Sequence, residues 1–250
     1  MTDREDTGWR AEGDFRPHPI EWNELRIQRL WDYYSTSEAH RSTYFGETVG
    51  RHFVRVLRRH GVLKGRARIV DFSCGTGAII EALLDVVPRG TKVTGFDLSP
   101  LSIERTLARN EETPGFGGAY RMQGYPTCLE DGSVDALILT EVIEHLDDRT
   151  LHDVLAECRR VLTPEGVLVV TTPNEENLAR EHVMCPECGC TFHRWQHRRS
   201  WSSSSLSSAL TAAGFGRVRV HPVTWGNELI ELAFLLLRRK ATGLMARAWR

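Results

Sequence analysis

Two carboxylates and an imidazole stand close together in the chain, at Glu141, Glu144 and His145. If a helix or turn begins there, residues spaced i, i+3 and i+4 share one face. Carboxylate oxygens and an imidazole nitrogen are ligands that Mg²⁺, Mn²⁺ and Zn²⁺ accept. The spacing therefore predicts a divalent-ion site, and the three residues are candidates for both metal binding and catalysis. The plainer alternative is that they line a pocket without a metal.

A second set of metal-ligand side chains follows at Cys185, Cys188, His193 and His197. Their C-x2-C-x4-H-x3-H spacing predicts a compact tetrahedral zinc site in a small insert. Cys190 could replace one histidine. If His197 instead joins the ligands of the first site as a further catalytic residue, the three cysteines and His193 still complete a Cys₃His set. Disulfide bonds are the competing interpretation, which a cytoplasmic location would disfavour.

A glycine-spaced turn follows an apolar run that ends in Asp71, and it contains Ser73, Gly75 and Gly77. Glycine lacks a Cβ, so it can adopt positive φ and let the amides at the start of the next helix face a polar ligand. A second apolar run ends about twenty residues later in Asp97, where a βαβ unit places the carboxylate that accepts ribose hydroxyls. The pattern predicts a nucleotide-type ligand, and a tight turn without a ligand is the alternative.

With these residues, the chain resembles the class I S-adenosylmethionine-dependent methyltransferases over residues 60 to 240. The stretch 131–139 is similar to the fourth strand of the family, and 162–170 is similar to the turn into its fifth. One departure is Gly124-Tyr125, where the family often carries Gly-Asp near the adenine. The resemblance implies that S-adenosylmethionine binds to these residues: Asp71, Ser73, Gly75, Gly77, Asp97, Leu98 and Gly124.

The Glu-x-x-Glu-His segment is similar to that of two metal-dependent families, the catechol O-methyltransferases of ubiquinone biosynthesis and the 3'-terminal ribose 2'-O-methyltransferases of small RNAs. The resemblance implies metal-assisted methylation of vicinal oxygens, with Mg²⁺ or another divalent ion at the active site and structural zinc in the insert. In the RNA family a downstream histidine in an aromatic-rich segment completes the metal site. The segment Trp195-Gln196-His197 before Trp201 resembles it.

A small-molecule acceptor that bears a diol or catechol is the leading expectation for the substrate. The alternatives are the 2'-oxygen at an RNA 3' end, and metal-independent methylation of nitrogen, carbon or oxygen. A non-catalytic binding module ranks last, because a scaffold has no physical need for the Asp71 turn and Asp97. The oligomeric state stays open.

Composition is that of an ordinary globular protein, with 250 residues, 41% apolar, 26% charged and a formal net charge of -1. No apolar run approaches the roughly 18 residues that a membrane helix needs, and the first six residues are too polar for a signal peptide. The sequence therefore predicts a cytoplasmic protein that does not associate with membranes. Residues 180–250 hold eleven Lys and Arg against four Glu, as a solvated face or as a surface for a phosphate-bearing substrate.

Alternating strand and helix patterns from residue 67 onwards predict an α/β fold, a Rossmann-like, seven-stranded, mostly parallel sheet with helices on both faces. The last strands are expected at 218–220 and 229–237. Ser202 or Ser203 is expected to cap a helix that stops at Gly214. The predicted boundaries are a disordered or loose N-terminus at 1–20, an N-terminal helical cap at 21–60, a methyltransferase domain at 61–240 with a small zinc-binding insert at 181–201, and a C-terminal tail at 241–250.

Overall fold

The computed structural model describes residues 15–41, 43–225 and 243–250. Its strands, in chain order, are β1 (His18–Pro19), β2 (Arg68–Phe72), β3 (Lys92–Asp97), β4 (Phe116–Arg121), β5 (Val134–Thr140), β6 (Leu162–Pro173), β7 (His182–Met184), β8 (Cys190–His193), β9 (Gly216–Val223) and β10 (Gly243–Trp249). Its helices are α1 (Glu24–Thr36), α2 (Glu38–Arg41), α3 (Phe45–Arg59), α4 (Ala78–Leu84), α5 (Pro100–Asn110), α6 (Asp148–Val161) and α7 (Ser203–Ala212), with a 3₁₀ turn at Leu178–Glu181. No helix in these ranges is both long and apolar enough to cross a membrane.

Seven of the described strands form one sheet in the order β4-β3-β2-β5-β6-β10-β9. The neighbours from β4 to β6 pair in parallel, whereas β10 runs antiparallel to both β6 and β9. The strand order reverses direction between β2 and β5. In open α/β sheets, ligands bind in the crevice at the carboxyl ends of the strands beside such a point. The predicted Rossmann-like, mostly parallel sheet is confirmed.

Helices cover both faces of the sheet because a central strand such as β5 is apolar on both sides. Leu137 and Leu139 belong to the core that α6 and α7 cover, whereas Ala136 and Ile138 belong to the core beneath α3 and α4. All four side chains are fully buried. This alternation determines which face of the sheet each side chain of β5 points to. It therefore also determines where the chain continues with the polar residues after Thr140.

Helix α7 begins where its capping residue predicts. The Ser202 hydroxyl accepts a hydrogen bond from the Ser205 N–H at 3.1 Å, and the Ser205 hydroxyl accepts one from the Ser202 N–H at 2.9 Å. This reciprocal capping satisfies two helix-terminal donors. Gly214, two residues after the helix, has a φ of +87°, which ends the helix as expected.

The end of the chain differs from the prediction of a C-terminal tail at 241–250. Gly243–Trp249 is strand β10, which lies inside the sheet between β6 and β9. Leu244 and Ala246 pack into one core and Met245 into the other, so the strand is buried on both faces. The strand predicted at 229–237 lies outside the described residues, whereas the one predicted at 218–220 is part of β9.

The start of the chain also departs from its prediction as a loose segment. Within 1–20, residues 15–20 are described, and strand β1 pairs in parallel with β8. Strand β8 in turn pairs antiparallel with β7, which gives a second, three-stranded sheet in the region of the predicted insert. Helices α1, α2 and α3 occupy the region predicted as the helical cap.

Candidate active site

The turn between β2 and α4 has the backbone geometry that its glycines predict. Ser73, Gly75 and Gly77 have φ angles of +71°, +53° and +78°. A Cβ on Gly77 would lie 2.7 Å from the Asn110 side chain, so this glycine permits close packing against α5. A Cβ on Gly75 would meet nothing within 4 Å. The turn therefore packs tightly on one side and faces open space on the other.

Asp97 joins the end of β3 to this turn. Its Oδ2 accepts a hydrogen bond from the Gly75 N–H at 2.9 Å, and its Oδ1 accepts one from the Ser99 N–H at 2.9 Å. Burial raises the pKa of Asp97, while the hydrogen bonds from Ser99 and Gly75 lower it. A carboxylate offers about four lone-pair positions, so acceptor capacity remains for ribose hydroxyls. The neighbouring Leu98 is 58% exposed, and a Cβ on Gly124 would meet nothing within 4 Å.

Asp71 lies fully buried at the end of β2, and neither carboxylate oxygen has a hydrogen-bond partner in the described residues. Burial, and secondarily the charge of Asp97, raise the pKa of Asp71 to about 7. A buried acceptor without a donor is costly, and a ligand that brings a donor or a positive charge would relieve that cost. The residues of this turn therefore fit a cationic, hydroxyl-bearing nucleotide.

Asp71→Asn should stabilise the ligand-free protein at pH 8 more than at pH 5. The folded-state pKa of about 7 lies above the ordinary 3.8, so the folded chain retains a proton that the unfolded chain has lost. Stability due to this group is therefore lost as pH rises, by roughly 2 to 3 kcal/mol between pH 5 and pH 8. Melting temperatures of both proteins at the two pH values measure this. If the melting temperatures of the variant and the wild type differed by the same amount at pH 5 and at pH 8, the prediction would be contradicted.

The Glu141 to His145 segment follows β5 as a turn and not as a helix. Glu141 has a φ of +52°, and its N–H donates to the Thr171 carbonyl at 3.0 Å. The His145 N–H donates to the Val142 carbonyl at 3.0 Å, which closes the turn. Glu141 Oε1 is buried without a hydrogen-bond partner in the described residues. Burial raises the pKa of Glu141 to about 7.

Glu144 belongs to this turn and is 1% exposed. Its Oε2 accepts a hydrogen bond from the Thr172 hydroxyl at 2.9 Å, and its Oε1 lies 3.9 Å from His145 Nε2 with no hydrogen-bond donor among the described residues. Burial, and then the charge of Glu141, raise the pKa of Glu144. The charge of Glu141 therefore acts on a buried Glu144 carboxyl, and a cation near both groups would relieve this repulsion.

His145 presents a neutral imidazole at neutral pH. Burial, and then the charge of His197, lower its pKa to about 3. Its Nδ1 is buried without a partner in the described residues, and its backbone carbonyl accepts from Gln196 Nε2 at 3.1 Å. The edge of Trp31 from α1 packs against the ring at 4.9 Å between centroids. A neutral, fixed imidazole can act as a metal ligand or as a base.

Glu176 is a site residue that the sequence analysis missed. Its Oε2 lies 2.5 Å from His197 Nδ1, and its Oε1 lies 3.5 Å from His193 Nε2. His193 Nδ1 accepts hydrogen bonds from the Trp195 and His197 N–H groups at 3.3 and 3.2 Å, so its proton is on Nε2 towards Glu176. The two imidazoles stack with centroids 4.6 Å apart. The sequence could have indicated Glu176 only through its position, since it follows the carboxyl end of β6, where ligands bind in open α/β sheets.

Metal-ligand side chains among the described residues form three groups, each with ligand atoms within 4.8 Å of one another, and His197 belongs to two of them. The groups are Cys185, Cys188 and Cys190; Glu144, His145 and His197; and Glu176, His193 and His197. The C-x2-C-x4-H-x3-H set is therefore not brought together, because His193 lies at the end of β8 opposite Cys190, and both His193 and the following His197 contact Glu176. Glu141 lies outside these groups.

Helix α1 spans the two halves of the site. Its Trp31 indole donates to Gln196 Oε1 at 3.3 Å, and its Tyr34 hydroxyl donates to the Arg194 carbonyl at 2.8 Å. On the other side, the Ser99 hydroxyl donates to Asp32 Oδ1 at 3.3 Å. One amphipathic helix thus contacts the histidine-bearing segment and the loop after Asp97.

Sequence relatives agree with this arrangement. A family described as "Methyltransferase domain" matches residues 41–220. A Mycolicibacterium smegmatis protein described as a probable S-adenosylmethionine-dependent methyltransferase is 30% identical over 70% of the chain and 65% of its own length. A ubiquinone biosynthesis O-methyltransferase of Methylobacterium nodulans is 34% identical over 54% of the chain and 51% of its length. The chain thus spans less than two thirds of these curated relatives.

Solved structures with the same fold include an S-adenosylmethionine-dependent methyltransferase from Archaeoglobus fulgidus, with a TM-score of 0.58 and 19% identity over 80% of this chain and 94% of that one. Another is Haemonchus contortus phosphoethanolamine N-methyltransferase 2 in complex with S-adenosyl-L-methionine, with a TM-score of 0.65 and 15% identity over 90% of this chain and 60% of that one. The family match over residues 41–220 covers more than half of the chain, so the chain belongs to the methyltransferase domain family.

Proposed function

We propose that the protein transfers the methyl group of S-adenosylmethionine to a hydroxyl oxygen of a small molecule that bears a diol or catechol, assisted by a divalent cation. The observation that carries this proposal is the group formed by the buried Glu144 and the partly buried His145 and His197, whose ligand atoms lie within 4.8 Å of one another. Glu144 Oε1, which lies 3.9 Å from His145 Nε2, has no hydrogen-bond partner in the described residues. The chemistry of this donor set fits Mg²⁺, Mn²⁺ or another divalent ion.

The ring nitrogen of His197 is prepared for this role by Glu176. Because Nδ1 of His197 bonds to the Glu176 carboxylate at 2.5 Å, Nε2 keeps the lone pair that a cation needs. A carboxylate behind a ligating histidine is the usual arrangement in metal sites, since it holds the tautomer and raises the basicity of the ring. We assign Glu176 as a positioning residue and His193, stacked on His197, as its support. Glu141 supplies a further carboxylate beside the group.

A divalent cation bound there would act as a Lewis acid that lowers the pKa of a coordinated hydroxyl and orients two vicinal oxygens. The Gly75 turn and Asp97 would hold the donor, which supplies the methyl group. As the O–C bond forms, the S–C bond breaks and its electron pair stays on sulfur, which leaves S-adenosylhomocysteine. The hydroxyl proton passes to solvent. Burial of the site keeps water from competing.

An oxygen acceptor is favoured by the matched ubiquinone biosynthesis O-methyltransferases, which carry that reaction in their name. A second candidate is the 2'-oxygen of an RNA 3' end. It is favoured by His197, which belongs to an aromatic segment of the chain and lies with Glu144 and His145. Metal-independent transfer to oxygen, nitrogen or carbon is the remaining alternative, with neutral His145 as the base. A cytoplasmic location stays a prediction.

Labelled S-adenosylmethionine offered with a catechol, an RNA oligonucleotide and its 3'-terminal 2'-deoxy counterpart tests the proposal. We expect label on the catechol, and loss of that label in excess chelator. Label on the ribonucleotide end but not on the 2'-deoxy end would select the RNA candidate. Transfer that persists at full rate in chelator would contradict metal assistance. A protein that binds the donor yet labels neither vicinal-oxygen substrate would contradict the proposal as a whole.

We also propose that Cys185, Cys188 and Cys190 hold a structural zinc ion that is separate from catalysis. Their three sulfur atoms lie within 4.8 Å of one another, and thiolates prefer zinc among the common divalent ions. Hydrogen bonds from Cys190 and Cys185 lower the pKa of Cys188, which favours the thiolate that binds metal. Because Cys190 begins β8, and Cys185 and Cys188 lie in the turn between β7 and β8, their metal would stabilise the insert rather than the main fold.

Purified protein should carry about one tightly held zinc ion per chain, and the double variant Cys185→Ser, Cys188→Ser should lose it, because serine hydroxyls are weak zinc ligands. Elemental analysis of unchelated protein measures this. The exposed Cys128 lies outside the group, so Cys128→Ser is the matched control and should retain zinc. Zinc-free wild-type protein, or a double variant with full zinc content, would contradict the assignment.

A further inference from the structure

The cysteine group lies on one face of the small sheet formed by β1, β8 and β7. The Cys185 N–H donates to the Cys190 carbonyl at 2.9 Å, so these two residues stand opposite each other on antiparallel neighbours and share a face. The Gly189 N–H donates to the Cys185 carbonyl at 2.8 Å and closes the turn that returns Cys188 to that face. Three thiols leave one position of a tetrahedral ion unfilled.

Strand β1 brings a histidine to the same face. His18 is the register partner of Cys190 in a parallel pair, in which paired residues project to the same side. The pairing is held by the His18 N–H bond to the Gly189 carbonyl at 3.0 Å and by the Ile20 N–H bond to the Thr191 carbonyl at 3.0 Å. The Thr191 hydroxyl donates to the His18 carbonyl at 3.2 Å.

The imidazole of His18 is held as a metal-binding tautomer. Its Nδ1 lies 3.1 Å from the Arg16 carbonyl, an acceptor, so Nδ1 carries the proton and Nε2 keeps its lone pair. A ligating histidine typically donates its second ring N–H to a carbonyl in this way. His18 is exposed and Cys185 and Cys190 are partly exposed, so an ion can enter from solvent.

Gly189 lets the N-terminal segment approach this closely. Its φ is +78°, and a Cβ there would lie 2.7 Å from the Arg16 carbonyl oxygen. Any side chain would therefore push the Arg16 to His18 segment away from the cysteines. Gly189 is therefore needed both for the turn that carries the cysteines and for the close contact of that turn with the segment that forms β1.

We propose that His18 is the fourth ligand of a Cys₃His site with Cys185, Cys188 and Cys190, and that it takes a thiophilic divalent cation such as Zn²⁺. The inference rests on the proposed zinc ion and replaces His193, which faces Glu176, as the histidine of that site. Metal binding would then link β1, which precedes α1, to β8, the strand that ends in His193. Packing of Trp22 on Phe192, with centroids 6.0 Å apart, continues this link towards the active site.

Cobalt substitution and zinc competition test the proposal on the full-length protein. Thiolate-to-cobalt charge transfer reports only the cysteine site, so metal at the glutamate and histidine groups does not interfere. In His18→Ala we expect the thiolate-to-cobalt charge-transfer bands to shift and zinc affinity, measured against a chromophoric chelator, to fall by at least about 100-fold. The reason is that loss of even an outer partner of a ligand typically costs about 10- to 100-fold.

The matched control is His152→Ala, which removes an imidazole that is 81% exposed on α6 and should leave both readouts unchanged. His193→Ala should leave the thiolate-cobalt spectrum unchanged as well. The assignment of His18 would be overturned if His18→Ala behaved like wild type. It would also be overturned if His193→Ala, and not His18→Ala, changed the thiolate-cobalt spectrum and the zinc affinity. Zinc retained by the Cys185→Ser, Cys188→Ser variant would overturn the zinc site itself, so the two failures are distinguishable.

Discussion

Glu144→Gln should lower methyl transfer by on the order of 10³-fold while leaving S-adenosylmethionine binding nearly intact. Glutamine has the size of glutamate and can still accept the hydrogen bond from Thr172, but it removes the buried negative charge that a cation needs. Loss of Lewis-acid assistance costs roughly 4 kcal/mol in the transition state, which corresponds to that factor in rate. Turnover and donor binding by calorimetry measure the two effects separately.

The control for this variant is Glu112→Gln, which removes a carboxylate that is exposed after α5. Its turnover should match wild type. His197→Ala should behave like Glu144→Gln and keep the zinc of the cysteine site, since His197 contacts Glu176 and lies with Glu144 and His145. If Glu144→Gln runs at the wild-type rate, metal assistance is wrong and a general base must take the proton.

The local part of the fold was predictable because backbone chemistry determines it. Only residues that tolerate positive φ allow the turn after β2, and Gly75 and Gly77 adopt it as expected. The Ser202 cap and the stop at Gly214 depend on interactions within a few residues. The alternation of strands and helices, together with apolar runs buried on both faces, is enough to predict a parallel sheet. These features require no knowledge of long-range contacts.

The spacing of the ligands along the chain could not show which metal site His193 and His197 belong to. His193 and His197 have the interval that suits zinc next to the cysteines, yet β8 is a strand, so Cys190 and His193 lie at its opposite ends. Glu176 then competes for both imidazoles from the loop after β6. A ligand spacing counts residues along the chain, whereas coordination depends on distances across it, and the pairing of β8 with β7 and β1 decides those.

Strand β10 was missed for a related reason. Arg247 interrupts the short apolar run at 243–249, so the segment carries only a weak local signal for a strand. In the sheet, Arg247 is opposite Val169 of β6 and Arg219 of β9, and the backbone bonds to both neighbours stabilise the strand. Tertiary pairing thus overrides a weak local signal.

Gly75→Val should abolish measurable S-adenosylmethionine binding with little change in the fold. The space around its Cβ is empty of protein, so a valine side chain would project into the crevice where the donor is expected to bind. Gly90→Val is the matched control, because Gly90 also has a positive φ, +92°, with nothing within 4 Å of its Cβ, but lies in an exposed loop. Both variants place a β-branched residue at a positive φ, and the control at Gly90, with the larger φ, carries at least as much backbone strain. Calorimetric titration with the donor should therefore separate strain from steric exclusion.

Asp97→Ala should weaken donor binding by roughly 2 to 4 kcal/mol, because two charge-assisted hydrogen bonds to ribose hydroxyls are lost. That corresponds to about a 30- to 1,000-fold rise in Kd. The carboxylate also accepts from the Gly75 and Ser99 N–H groups, so its removal frees the turn and pushes the loss towards the upper end of this range. Wild-type affinity in both Gly75→Val and Asp97→Ala would mean that the donor does not bind at this turn, however well the fold matches.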